Sequence, residues 1–156
     1  MIATELLKND HKKVMSLIEE LETADDEVGT DPTYTEIFNR LNELLKMHTR
    51  IEEEVFYPSM KDFDESRDLV REFHKEHNQI DQLLSRLSTM APNVEEFQGI
   101  LSELRERIER HVDEEENELF PLAEELCGES ILQEMGRQMQ TIKDHRQVKA
   151  ATGRRR

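Results

Sequence analysis

The sequence is poor in the residues that build sheets, disulfides and membrane spans. It has no tryptophan, 5% aromatic residues and a single cysteine among 156 residues. Because aromatic and β-branched side chains fill the surface of a sheet, their shortage argues against a large sheet. Cys127 cannot form an internal disulfide, which favours a reducing compartment. The N-terminus lacks the apolar stretch of a signal peptide, and no apolar run approaches the ~20 residues of a membrane-spanning helix. We therefore expect a cytoplasmic protein with no membrane partner.

Positive charge is also scarce. The 36 Asp and Glu residues outweigh 21 Lys and Arg residues, which gives a formal net charge of −15 at pH 7. A surplus of this size repels phosphate backbones and anionic lipids, so it argues against nucleic acid or a membrane surface as a partner. With 37% charged and 35% hydrophobic residues, the composition alone leans towards disorder. The arrangement of the apolar residues argues for a folded chain instead, because they recur at helical spacing.

Apolar residues follow the 3.6-residue period of an α-helix over five segments. These segments span residues 4–23, 34–57, 66–90, 94–120 and 130–149. Turn residues at 25–32 and the break at Ala91–Asn93 separate helices. Pro58 is expected near the end of the second helix, and Pro121 and the Cys127–Gly128 pair are expected to interrupt the helical path. Short connections between long amphipathic helices favour antiparallel neighbours. The sequence therefore predicts an all-α protein, an up-down-up-down four-helix bundle with an additional C-terminal helix.

The predicted elements divide the chain into one bundle and two C-terminal pieces. A chain of 156 residues has the usual size of one domain. The four long helices place the bundle in residues 1–125. Residues 126–150 are predicted to form a helical appendage, and the basic segment 151–156 is expected to be a disordered tail.

Two of the helices carry the same passage. HTRIEEEVFYP begins at His48 and HVDEEENELFP begins at His111, so histidine, glutamate and proline keep their offsets at a shift of 63. The first and third helices align at a shift of 66, which places His11 on His77. A shift of 63 for these helices would place His11 on His74 instead. Under either alignment the chain is a duplicated helical hairpin, and each copy supplies one histidine and one His-x-x-x-Glu.

The repeated motif places an imidazole and a carboxylate on one helix face, because residues four apart are neighbours there. His48 and Glu52 form one such pair, and His111 and Glu115 form the other. The faces are apolar, and histidines and glutamates buried without partners would be strongly destabilising. A metal centre satisfies them, since imidazole with carboxylate suits iron, manganese or zinc, and carboxylates from facing helices commonly bridge two metals. A single such motif is more often a solvated surface; the matched duplication favours metal binding.

These motifs resemble those of hemerythrin and the hemerythrin-like HHE cation-binding domains of the bacterial single-domain type. The resemblance covers residues 4–122 and implies a four-helix bundle around a non-haem di-iron centre with an oxo or hydroxo bridge. It implies that Glu52 and Glu115 bridge the two iron ions. It implies that the terminal metal ligands are His11, His48, His74, His77 and His111. One iron position stays open in such a centre, and there the family binds dioxygen or a similar small ligand.

The chain departs from hemerythrin proper in two ways. His74 and His77 are three residues apart where hemerythrin has histidines four apart. His74 also has no counterpart in the first helix, where Lys8 stands. Glu115 follows His111 by four residues, as in bacterial HHE domains, where hemerythrin proper has an aspartate five residues on.

The sequence leaves several functions open. In the first, the di-iron centre binds dioxygen, peroxide or nitric oxide. In the second, it is an enzyme of oxidative stress with catalase-like or nitric-oxide-reducing activity. In the third, the protein senses or donates iron. A structural zinc site is the remaining alternative, and no catalytic residue is predicted apart from the metal ligands.

Other conspicuous residues are interpreted as structural. Tyr57 is expected to pack at a helix end, although a role as proton donor or metal ligand stays open. His145 is expected on the surface and Cys127 is expected to be inert. A solvated acidic face is expected to contain Glu53, Glu54, Glu116 and Glu118. Four apolar residues one turn from the ligands are expected to line the pocket, namely Val14, Leu45, Ile80 and Ile108.

Overall fold

The computed structural model describes residues 1–23, 32–91 and 95–154. Within these ranges six α-helices follow one another: α1 Ala3–Thr23, α2 Pro32–Ile51, α3 Tyr57–Lys61, α4 Asp64–Ser88, α5 Glu95–Glu114 and α6 Phe120–Arg154. Two π-helical turns are inserted, π1 Glu52–Phe56 and π2 Glu115–Leu119. No strand occurs in the described ranges, and the predicted all-α class is confirmed. The predicted turns at 25–31 and 92–93 lie outside the described residues. None of the described helices is both long enough and apolar enough to cross a membrane.

The long helices pack as two hairpins. α1 contacts α2, α4 contacts α5, and α1 also contacts α5. Each helix buries one stripe: in α4 this stripe contains Val70, Phe73, His77 and Ile80, at the three- and four-residue spacing of a helix face. The predicted up-down-up-down bundle is therefore what the chain forms.

A polar layer divides the hydrophobic core into two clusters. One cluster contains Leu7 of α1 and Phe73 of α4, together with residues near the C-terminus such as Leu132. The other begins one to two turns further along the same helices, at Val14 and Ile80. Between them lie buried histidine and glutamate side chains. The fold thus places the predicted ligands at the level where the apolar packing is interrupted.

The two π-helical turns lie at equivalent places in the duplicated hairpins. In each, a backbone N–H reaches the carbonyl five residues back: Tyr57 donates to Glu52, and Phe120 donates to Glu115. Pro58 and Pro121 follow directly. A proline ring clashes with the carbonyl four residues back in an ordinary helix, and in both hairpins a wider, π-helical turn precedes the proline. Pro58 lies near a helix end as expected, since α3 ends at Lys61. The expectation that Pro121 interrupts a helix is wrong, because π2 continues directly into α6.

The break near residue 128 comes from Gly128 alone. Its φ of 79° and ψ of 167° lie outside the helical region within α6, and a positive φ favours glycine. Beyond it, the predicted C-terminal helix packs onto α1, and its residues Leu132, Met135 and Met139 are buried in the same cluster as Leu7. The helix runs to Arg154, while residues 155–156 of the predicted tail lie outside the described part of the chain.

Candidate metal centre

Six of the seven predicted ligands meet in the polar layer. They are His11 on α1, His48 on α2, Glu52 at the start of π1, His77 on α4, His111 on α5 and Glu115 at the start of π2. Each is at most 6% exposed. Every long helix of the bundle therefore contributes to one buried cluster of imidazoles and carboxylates.

The six side chains form two overlapping groups, in each of which the ligand atoms lie within 4.8 Å of one another. The first group is His11, His48, Glu52 and Glu115, and the second is Glu52, His77, His111 and Glu115. Both glutamates belong to both groups. Each group could hold a metal ion, and both glutamates could contribute a ligand to either.

Several polar atoms of the centre face one another without forming hydrogen bonds. Nε2 of His48 lies 3.0 Å from Oε1 of Glu52, and Nε2 of His11 lies 3.1 Å from Oε1 of Glu115. In the described part of the chain, all four of these atoms, with Oε2 of Glu52, are buried without a hydrogen-bond partner. Orphaned buried polar atoms are costly. Because these atoms converge, bound cations would satisfy them, and the donor set fits a metal.

Each histidine is oriented by a carboxylate at its other ring nitrogen. The Nδ1–carboxylate distances are 2.7 Å for His11–Glu116, 3.1 Å for His48–Asp10, 3.0 Å for His77–Glu53 and 2.6 Å for His111–Glu76. An Nδ1–H that donates to a carboxylate leaves Nε2 free to bind metal and fixes the ring. Glu53 and Glu116 were expected on the solvated face, and that expectation is wrong because they contact His77 and His11 of the buried cluster.

The supporting carboxylates reproduce the duplication. A shift of 66 relates Asp10 to Glu76, and a shift of 63 relates Glu53 to Glu116. Asp10 and Glu76 each hold a histidine of their own hairpin, whereas Glu53 and Glu116 each hold a histidine of the other. This matched pattern favours the alignment of His11 with His77.

His74 is the predicted ligand that the structure does not bring into either group. Its half-exposed side chain is paired through Nδ1 with Glu53, the carboxylate that also holds His77. His77, three residues further along α4, belongs to the second group instead. In this geometry His74 supports the cluster from outside.

The side chain of Tyr57 lies in the centre, although the sequence favoured packing at a helix end. Its hydroxyl donates a hydrogen bond of 2.5 Å to Oε2 of Glu115 and lies 3.2 Å from Nε2 of His77. Burial and the charge of Glu115 raise the pKa of the Tyr57 phenol well above its ordinary value. The equivalent residue in the other hairpin is Phe120, which stacks on His11 as Tyr57 stacks on His77. One phenolic hydroxyl thus distinguishes the two halves of the centre.

The carboxylates make the centre attractive to positive charge. Burial lowers the pKa of His48, but the charge of Glu52 and the contact with Asp10 outweigh it and raise the pKa to about 10. Burial likewise lowers the pKa of His111, but Glu115 outweighs it and raises that pKa to about 10. Cations that bind Nε2 must therefore compete with protons.

Apolar side chains close one side of the centre around a small cavity. The cavity has a volume of about 20 Å³ and is lined by Val14, Leu45, Ile80 and Ile108, with the four histidines of the centre, Thr49 and Val112. This agrees with the expectation that those four apolar residues line the pocket. A volume of about 20 Å³ holds roughly one water-sized molecule.

The C-terminal helix reaches the centre through one lysine. Nζ of Lys143 lies 2.6 Å from Oδ1 of Asp10, whose other oxygen contacts His48. Burial raises the pKa of Asp10, but His48 and Lys143 outweigh it and lower the pKa. The packing of α6 therefore helps to fix the carboxylate of Asp10, which orients His48. His145, which also lies on α6, is exposed, as the sequence analysis expected.

Comparison with known proteins gives consistent matches. A family profile described as the hemerythrin HHE cation binding domain matches residues 2–123. An uncharacterised hemerythrin-like protein of Schizosaccharomyces pombe is 29% identical over 122 residues, which are 77% of this chain and 58% of that protein. A DNA nickase of Nostoc sp. is 29% identical over 116 residues, 74% of this chain and 32% of the nickase. This chain thus spans less than two thirds of both curated relatives. The crystal structure of a hemerythrin HHE cation-binding domain-containing protein from Mycobacterium kansasii is similar with a TM-score of 0.78 and 24% identity, covering 97% of this chain and 93% of that one.

Proposed function

The chain belongs to the hemerythrin HHE cation-binding domain family, and from this premise we propose that it holds two iron ions and binds a small ligand such as dioxygen, peroxide or nitric oxide. The observation that carries the proposal is the sharing of Glu52 and Glu115 by two histidine pairs. The metal ligands in this proposal are the six residues of the two groups. His74 is assigned to the support of Glu53. We also propose a cytoplasmic location, in keeping with the lone cysteine.

The chain's own residues prepare the centre for this task. Iron would supply an exchangeable position for the ligand and reversible electron transfer. The carboxylates at Nδ1 hold each imidazole with its Nε2 towards the metals. The walls of Val14, Leu45, Ile80 and Ile108 keep bulk water from the cavity, and the cavity's size restricts the ligand to a few atoms.

A role on DNA is not part of the proposal. The Nostoc relative is named a DNA nickase, but the matched region is 32% of that protein. The present chain has a net charge of −15, which opposes contact with a phosphate backbone. We therefore propose a small molecule as the partner.

The metal and the ligand can be tested together. Protein produced in iron-replete medium should contain about two iron ions per chain, with charge-transfer absorption in the near ultraviolet. After anaerobic reduction, separate exposure to dioxygen, peroxide and nitric oxide should identify the ligand by its optical change. Stoichiometric zinc without iron would contradict the proposal and favour a structural site. Iron that is released reversibly, with no optical response to any of the three, would favour iron sensing or donation.

A second candidate, enzymatic removal of peroxide, is favoured by the Tyr57 hydroxyl. The phenol holds a proton 2.5 Å from Oε2 of Glu115, within the reach needed for proton transfer in a centre otherwise poor in free acids. If the protein is an enzyme, Tyr57→Phe should slow peroxide disproportionation by about 10²-fold while azide affinity and iron content stay unchanged. Tyr34→Phe, which alters a second buried tyrosine in the other core cluster, is the matched control. Equal peroxide rates in both variants would favour ligand binding alone.

A further inference from the structure

Two surface pockets lie on opposite faces of the bundle and adjoin the small central cavity. The pocket between α2 and α4 has a volume of about 570 Å³, and four of its lining residues, Leu45, Thr49, His77 and Ile80, also line the cavity. The pocket between α1 and α5 has a volume of about 300 Å³ and shares only His11 and Val112 with the cavity. The duplication relates the two faces to each other, so they can be compared residue by residue.

The inner walls are equivalent on the two faces, but the outermost shared residue is not. Shifts of 63 and 66 relate Leu45 to Ile108 and Val14 to Ile80, which are all apolar. Thr49 corresponds by the shift of 63 to Val112. A hydroxyl-bearing side chain therefore stands between pocket and cavity on the α2–α4 face, where the α1–α5 face has a purely apolar one.

The charges at the two mouths differ as well. The α2–α4 pocket is lined by Lys46 and Arg50 together with Glu53 and Asp81, which balance to zero. The α1–α5 pocket is lined by Lys12 with Glu19 and Glu116, a net charge of −1. On a chain with a net charge of −15, a mouth without net charge repels a small anion less than a mouth with a net charge of −1.

We propose that small ligands reach the centre between α2 and α4, through a constriction formed by Leu45, Thr49 and Ile80. The proposal rests on the proposed function, because it concerns the same cavity. Leu45 and Ile80 are each 7% exposed, so passage needs a side-chain movement, and Thr49 occupies the outer edge. The ligand class is an uncharged or singly charged molecule of two or three heavy atoms.

A constriction controls the rate of passage and leaves the bound state unchanged. We therefore expect Thr49→Leu, in iron-loaded protein, to slow both association and dissociation of azide by about tenfold, with the dissociation constant within about twofold of the original. Val112→Leu is the matched variant on the opposite face. Any loss of space inside the cavity appears in both variants, whereas a blocked passage appears only in Thr49→Leu. Stopped-flow optical spectroscopy measures the rates.

A second measurement separates the route from the proposed function, because it needs no ligand at the metals. In a Cys127→Ser background, Ile108→Cys places a thiol on the inner wall, and methyl methanethiosulfonate reports how fast a small reagent reaches it. Adding Thr49→Leu should slow labelling by about tenfold, and adding Val112→Leu should not. If the iron-loaded protein binds no azide, the proposed function fails while labelling still decides the route. In the labelling experiment, slower labelling with Val112→Leu alone, or no change with either variant, overturns the proposal. In the azide experiment, the proposal is overturned if Thr49→Leu changes the affinity for azide but not its association rate.

Discussion

Replacing Glu115 by alanine should remove both metal ions from the protein, whereas replacing a single histidine should remove one. Glu115 contributes to both groups of ligands, and one of its oxygens lies near His11 while the other lies near His111. His48 and His111 each contribute to one group only. We expect iron per chain to fall from about two to nearly none in Glu115→Ala, and to about one in His48→Ala or His111→Ala. Elemental analysis of the purified variants measures this directly.

The control for Glu115→Ala is an exposed glutamate on the same turn. Glu118 lies three residues on and is exposed to solvent, so Glu118→Ala removes the same charge without touching the centre and should retain both ions. Glu52→Ala should behave like Glu115→Ala, because Glu52 has the same shared place in the first hairpin. A Glu115→Ala protein that keeps one ion per chain would show that the glutamates do not bridge.

The sequence predicts the bundle and the central ligands because the evidence for both is periodic. Apolar residues mark one face of each helix, and the duplicated His-x-x-x-Glu lies on that face at matched offsets. His74 lies on α4 beside His77 and differs from it only in how deeply the side chain is placed, 45% exposed against 5%. Spacing alone therefore could not separate these two, and the hairpin duplication was the only sequence signal that favoured His77.

The sequence favoured helix-end packing for Tyr57, with a role at the site left open, because the helix changes its period beside Glu52. A residue five positions after Glu52 lies about 140° away on an α-helix, which directs Tyr57 off the ligand face. π1 inserts one extra residue into that turn, and the wider turn brings the phenol back towards the centre. π-helical turns occur often at functional sites, but the apolar pattern of this segment does not predict one. The recurrence of aromatic-Pro after both glutamates was the available clue.

The supporting carboxylates and Lys143 were missed for a different reason. The side chains of Glu53 and Glu116 are 28% and 32% exposed. Both lie in acidic runs that are typical of a solvated helix. Their role depends on which neighbouring helix faces them. Lys143 is separated from Asp10 by 133 residues, and a single lysine on a C-terminal helix gives no sequence signal of its partner. Long-range pairs of this kind need the assembled bundle.

Removing the metal should lower the thermal stability of the protein, and the loss should grow with pH. Ions that bind only the folded chain add to its stability, so chelation at neutral pH should lower Tm by about 10 °C or more. For the chelated protein, the raised pKa values of His48 and His111, each about 10, set the sign. An imidazole whose pKa is higher in the folded than in the unfolded chain stabilises the fold below the ordinary value of about 6.5, and this contribution is lost as the pH rises through the folded value.

The difference in stability between the iron-loaded and the chelated protein should therefore widen as the pH rises. Between about pH 6.5 and 9 the chelated protein loses the stabilisation that protonated His48 and His111 provide. In the loaded protein metal binding strengthens over the same range, because fewer protons compete for Nε2. Melting curves at pH 6.5, 7.5 and 9 should show a widening difference in Tm, and His145→Ala, which removes an exposed histidine on α6, should leave that difference unchanged. Coincident melting curves with and without chelator would mean that the ions do not stabilise the bundle. A difference that stays constant as the pH rises would mean that the histidines of the chelated protein are neutral, against the field of Glu52 and Glu115.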